Sequence, residues 1–148
     1  MKKVIIGGTF DILHEGHEAL LKKAFELGQV TIGLTSDEMA RETKKREVRE
    51  FDARKSDLDN FIREKLKAEA VIMQIEDKFG LALEEDFDYI VVSPETYPTA
   101  LQINQKRQEL NKNLIEIAKI DFVMAEDGKP VSSSRISNGQ INEEGEVL

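Results

Sequence analysis

The chain of 148 residues contains no cysteine and only two histidines. Without cysteine there are no disulfides, no thiolate zinc sites and no thiol nucleophile, which fits a reducing, cytoplasmic interior. No apolar run approaches the roughly 18 residues that cross a bilayer, so a membrane partner is not expected. The opening "MKKVIIGGTF" carries a short apolar stretch broken by glycines and reads as a buried first strand rather than a signal peptide. Positive charge is also scarce: 21 Lys and Arg stand against 29 Asp and Glu, a net charge of −8. A broad nucleic-acid-binding face is therefore not expected. Neither GxxxxGK[ST] nor GxGxxG occurs, which argues against a P-loop NTPase and a dinucleotide dehydrogenase. Internal repeats and low-complexity linkers are missing too, so residues 1–148 are expected to form one domain. Its acidic end, from about 140 through "NEEGEVL", is expected to fray. Abundant Lys and Glu lean toward a heat-adapted source.

What is present is a regular alternation. "KVIIG", "VTIGL", "AVIMQI" and "YIVVS" are short, rich in Val and Ile, and apolar on both faces, as parallel strands covered on each side are. "HEALLKKAFELG" carries Ala19, Leu20, Ala24 and Leu27 at helical spacing, with Gly28 as a stop. "FDARKSDLDNFIREKLKAE" has Leu58, Phe61, Ile62 and Leu66 on one stripe, and a third helix is expected from about Thr96 to Asn111. A fifth strand lies in "IEIAKIDFVMAE", and a short last helix begins at "SSSRI". Strand and helix in alternation predict an α/β doubly wound, Rossmann-like sheet of about five parallel strands. Ligands of such sheets sit outside the strands' carboxyl ends. The segments "GGTFDILHEGH", "TSDE" and "SPET" should meet there.

Both histidines fall in the first of these segments. Gly7 and Gly8 permit a tight turn and close backbone approach, Thr9 adds a hydroxyl, and the helix start near Gly16 favours an anion. His14 and His17, at i and i+3, can both face that anion. A metal bound by Asp11, His14 and His17 is the rival reading, weakened by the lack of any further histidine. The basic run Lys44, Lys45, Arg46 and Arg49 reads by itself as a solvated loop, because Glu42, Glu47 and Glu50 interleave with it.

"GGTFDILHEGH" resembles the T/S-x-x-x-x-HxGH signature of the nucleotidyltransferase superfamily related to class I aminoacyl-tRNA synthetases. "VSSSRI", from Val131 to Ile136, resembles the serine-rich segment that lies near the triphosphate in that superfamily. Together with "IGLTSDEM" and "VVSPETYPTALQINQKR", these segments make the chain similar to the archaeal-type phosphopantetheine adenylyltransferases and the matching domain of eukaryotic coenzyme A synthase. The likeness runs from Lys3 to about Gly139.

The resemblance implies adenylyl transfer from ATP to 4′-phosphopantetheine, giving dephospho-coenzyme A and pyrophosphate. Mg²⁺ is expected as a bridge between ATP phosphates. Gly8, Thr9 and the backbone at Phe10 would hold phosphates, with Thr9 also facing the acceptor. His14 and His17 would contact the triphosphate and the developing charge. Ser132, Ser133, Ser134 and Arg135 would take the β- and γ-phosphates. Lys44 or Lys45 would meet the acceptor phosphate, with Arg54 nearby. Ser93, Glu95, Thr96, Asn104 and Arg107 would line the nucleotide side, unless they serve as helix caps and solvated polar residues. The alternatives are a cytidylyltransferase or another adenylyltransferase of the superfamily, and a non-catalytic nucleotide-binding module.

Overall fold

The computed structural model describes residues 1–44 and 46–148. Five strands form one sheet: β1 (Lys3–Gly8), β2 (Gln29–Thr35), β3 (Val71–Ile75), β4 (Tyr89–Val92) and β5 (Glu116–Lys119). All pair in parallel, in the order β3-β2-β1-β4-β5. The helices are α1 (Glu15–Leu27), α2 (Asp37–Thr43), α3 (Phe51–Phe61), α4 (Tyr97–Glu109) and α5 (Ser133–Ser137). A π-helical turn, Ile62–Leu66, extends α3, and a 3₁₀ turn covers Gly80–Leu83. Among the described residues no helix is long and apolar enough to cross a membrane.

Successive side chains of a strand point to opposite faces, and β1 supplies both. Val4 and Ile6 pack with Leu21, Ala24, Ile32 and Leu58 beneath α1 and α3. Ile5 packs with Ile90, Ala100 and Ile103 beneath α4. This double burial explains why "KVIIG" carries no polar alternation. α1 ends where the stripe ends: the N–H of Gly28 returns to the carbonyl of Ala24, and Lys2 leaves no room there for a side chain.

The expectation that "AVIMQI" is covered on both sides fails. β3 is an edge strand, with Val71 55% and Met73 42% exposed. The acidic end is in contact with the rest of the domain. Ile141 is completely buried against Ala125 and Val131, and Glu126 N–H donates to the carbonyl of Gly145. One apolar side chain and a few backbone hydrogen bonds anchor a segment whose composition suggests solvent.

The chain steps from β1 to β2 on one side and later returns to place β4 on the other. Strand order thus reverses at β1, and a crevice opens beyond the carboxyl ends of β1 and β4. The "GGTF" and "SPET" segments leave the sheet there.

Candidate active site at the carboxyl ends of β1 and β4

The turn after β1 is shaped by one aromatic ring. Phe10 adopts φ 51°, the left-handed region that bulky residues rarely enter. Its ring then lies over Gly8, where an added Cβ would sit 2.8 Å from Cε2. Glycine at position 8 is what lets the ring bury itself. The same ring packs against the imidazole of His17, with centroids 5.0 Å apart.

The two histidines cap α1. His14 Nδ1 accepts the N–H of Gly16 at 2.9 Å, and His17 Nδ1 accepts the N–H of His14 at 3.3 Å. Their rings stack with centroids 3.9 Å apart. Gly16 is needed beneath them, since a Cβ there would meet His14 Cε1 at 2.7 Å. A ring nitrogen that accepts carries no proton, so each neutral imidazole bears its hydrogen on Nε2. Burial, reinforced by the charge of Lys44, lowers the His14 pKa to about 4. Burial, then His14, then Lys44 push His17 well below the ordinary imidazole value. Near neutral pH both are uncharged N–H donors.

His14, Gly16, His17, Lys44 and Ser132–Ser134 line one cavity of about 160 Å³, together with Ser93 and Glu95. The two ends of the chain are physically joined here. Ser133 Oγ donates to the carbonyl of Ile12 at 2.9 Å, and Glu15 N–H donates to the carbonyl of Glu143. Ser132 caps α5 by accepting the N–H of Arg135 at 3.2 Å. The sequence reading misses Asp121 and Phe122 on the same wall. They follow β5, and the carboxyl-end rule that selected "SPET" would have found them.

Asp11 is not turned toward the histidines. Its carboxylate accepts from Arg49 Nε at 2.7 Å and from Arg49 N–H at 3.2 Å, while Arg46 pairs with it at 3.5 Å. Burial opposes ionisation of this carboxyl, and the hydrogen bonds and charge of Arg49, with Arg46, more than offset it. The net pKa lies below the usual carboxylate value. With Asp11 so engaged and both Nδ1 atoms used in caps, the proposed metal triad does not assemble. Arg46 and Arg49 are accordingly not freely solvated: Asp11 straps them over the turn. Lys45 lies outside the described residues.

Four side chains expected at the ligand are engaged within the chain. Arg54 is 0% exposed. Its guanidinium donates to the carbonyls of Arg49 and Thr9, the hydroxyl of Thr35 and the carboxylate of Asp37. Arg107, 1% exposed, donates to the carbonyls of Asn113, Ala82 and Glu85 and pairs with Asp86. Asn104 pairs with the backbone of Ile115 in both directions, each bond 2.8 Å. Arg135 turns to the Pro130 carbonyl, Gln140 and Asp127, away from the cavity. Each of these groups serves the backbone around it. Thr96 braces Ser93, whose N–H it accepts at 3.1 Å.

A second cavity of about 150 Å³ borders Gly8 and shares no lining residue with the first. Gly8, Thr35, Met39, Ile75, Phe79 and Leu81 are among its walls, and it is predominantly apolar. Strand and helix patterning gives no sign of it.

Hydroxyls, a lysine and a pair of neutral histidines gather around one cavity at the sheet switch point. The chain belongs to the cytidylyltransferase-like family of nucleotidyltransferases, whose profile matches residues 5–139. It is 49% identical over 148 residues to the phosphopantetheine adenylyltransferase of Archaeoglobus fulgidus, covering 99% of each chain. It is 48% identical over 152 residues to the phosphopantetheine adenylyltransferase of Methanosarcina barkeri, covering 99% of this chain and 93% of that one. A crystal structure of a protein of unknown function from Archaeoglobus fulgidus matches with a TM-score of 0.78 at 42% identity, covering 88% of this chain and 99% of the other.

Proposed function

We propose that this chain transfers an adenylyl group from ATP to 4′-phosphopantetheine, forming dephospho-coenzyme A and releasing pyrophosphate. The observation that carries the reading is near-complete coverage by phosphopantetheine adenylyltransferases at nearly half identity, over a cavity rich in hydrogen-bond donors.

The attacking phosphate oxygen is already anionic, so the reaction requires no general base. It requires in-line alignment on the α-phosphorus and stabilisation of the departing pyrophosphate. Neutral His14 and His17 suit that demand: each offers Nε2–H to a phosphate oxygen, with the ring orientation fixed by its cap. Ser132, Ser133 and Ser134 offer hydroxyls and N–H groups to the outer phosphates. Lys44 supplies positive charge beside the histidines, and Thr9 and Gly8 border the position of the reacting phosphates. Ser93 and Glu95 lie on the nucleotide side. The apolar cavity beyond Gly8 suits the pantetheine arm, which has no net charge.

Mg²⁺ fits the donor set as an ion that arrives on the triphosphate. Glu95 and Asp121 are the carboxylates on the cavity wall, too few to satisfy a hard cation, so phosphate oxygens and water would complete its shell. When bound it would neutralise charge on the bridging phosphates.

Purified protein given ATP, Mg²⁺ and 4′-phosphopantetheine should release pyrophosphate and form dephospho-coenzyme A. The family description makes CTP the control nucleotide. Turnover with CTP and a phosphorylated alcohol, but none with ATP and 4′-phosphopantetheine, would move the chain to the cytidylyltransferases. ATP binding without turnover on any acceptor would make it a binding module.

A further inference from the structure

We propose that Thr35, backed by Arg54, is a positioning residue that sets the direction of the Thr9 hydroxyl and so turns Thr9 into a dedicated donor to substrate phosphate. The proposal rests on Thr9 meeting a phosphate, as in the function proposed above.

The argument is one of hydrogen-bond polarity. A guanidinium has five N–H donors and no acceptor, and it stays protonated in proteins. Arg54 Nη1 lies 3.2 Å from Thr35 Oγ1 and 3.2 Å from the carbonyl of Thr9. Thr35 Oγ1 must therefore accept from Arg54. Its own hydrogen reaches one acceptor among the described residues, Thr9 Oγ1 at 3.0 Å. Thr9 Oγ1 is thereby an acceptor on its buried side. Among the described residues its hydrogen has no protein partner, so it is left for the phosphate that the proposed function places at Thr9.

The relay cannot relax by rotation at its source. Arg54 Nε is held by the Arg49 carbonyl at 2.7 Å, and Nη2 by Asp37 Oδ1 at 3.1 Å. Asp37 is itself held by the N–H of Phe51 at 2.7 Å. Thr35 and Arg54 are both buried. A hydroxyl in water samples three rotamers and both polarities; here Arg54 and Thr35 restrict it to one. Donors oriented before substrate arrives are the kind that lower a charged transition state without reorganisation. Thr35 is the last residue of β2, so the strand that lines the acceptor cavity also aims the donor.

The test is a double-mutant cycle on kcat/KM for 4′-phosphopantetheine, using Thr9→Val, Thr35→Val and the double variant. Circular dichroism melting confirms folding, and Thr35→Ala replaces Thr35→Val in the same cycle if the latter does not fold. Thr35→Val should lower kcat/KM about tenfold, the scale of one oriented hydrogen bond. Thr35→Ser should restore it, because the hydroxyl returns. In the Thr9→Val background Thr35→Val should have no further effect, since the group it aims is gone. An active wild type with additive losses, or with Thr35→Val at full activity, overturns the relay alone. A wild type that binds ATP yet turns over no 4′-phosphopantetheine overturns the functional reading and the relay with it.

Discussion

Protonating His14 should destabilise the fold well above the pH at which its carboxylates titrate. The imidazole can cap α1 only while Nδ1 is an acceptor, and its pKa is held at about 4 in the folded chain. The unfolded value is about 6.5. Because the folded pKa is depressed, the unfolded chain binds more protons between these values. Stability is then full above about pH 6.5 and is lost as pH falls toward 4. For these two values, linkage gives a loss of about 2.5 kcal/mol by pH 4.5 from His14 alone, with His17 acting in the same direction. Asp11, with its pKa below the ordinary carboxylate value, adds its loss only at lower pH. Urea unfolding at several pH values from 7 to 4.5 would measure the slope in the wild type and in His14→Asn. Asparagine caps a helix without titrating, so the variant should show a slope smaller by roughly 2 kcal/mol over that range. Parallel pH profiles for the two proteins would refute the assignment of Nδ1 as a buried acceptor.

Other residues give sharper single readouts. His17→Ala should lower kcat by a hundredfold or more while the chain stays folded, the scale of one lost transition-state donor; near-normal kcat would remove His17 from the mechanism. Arg107→Met should lower stability by about 3 kcal/mol in urea unfolding, because three backbone carbonyls lose a charged donor. Its kcat for the remaining folded enzyme should be unchanged, and a selective loss of kcat would return Arg107 to the active site. Ile141→Ala should cost about 3 kcal/mol, as a completely buried isoleucine does, and should expose the 140–148 segment to protease. Resistance equal to the wild type would mean that the segment is anchored by its hydrogen bonds alone.

The sheet was legible because buried parallel strands leave a plain trace: "KVIIG" and "YIVVS" have no polar face to hide. The histidine pair and the serine segment were also legible, as two motifs at opposite ends of the chain that the structure brings to one cavity. Arg54 and Arg107 were not. A charged side chain is expected at the surface, and nothing in its own neighbourhood shows that backbone carbonyls from distant segments will enclose it. Their backbone partners were therefore not foreseen. α2 is too short to show a helical period, so Asp37 and the relay behind Thr9 were invisible. The edge position of β3 was hidden for a related reason, since composition reports how apolar a strand is but not whether a neighbour covers it. The charge of the final segment hid its one buried isoleucine, Ile141.

The joining of Ser133 to Ile12 and of Glu15 to Glu143 bears on how the enzyme comes into being. The ribosome makes the histidine turn more than a hundred residues before its serine counterpart. Until Ser132–Ser134 emerge, a nascent chain can hold its whole sheet yet lack one wall of the cavity. Any product cut short before Ser133, by premature termination or by proteolysis, carries both histidines without the serine wall that faces them.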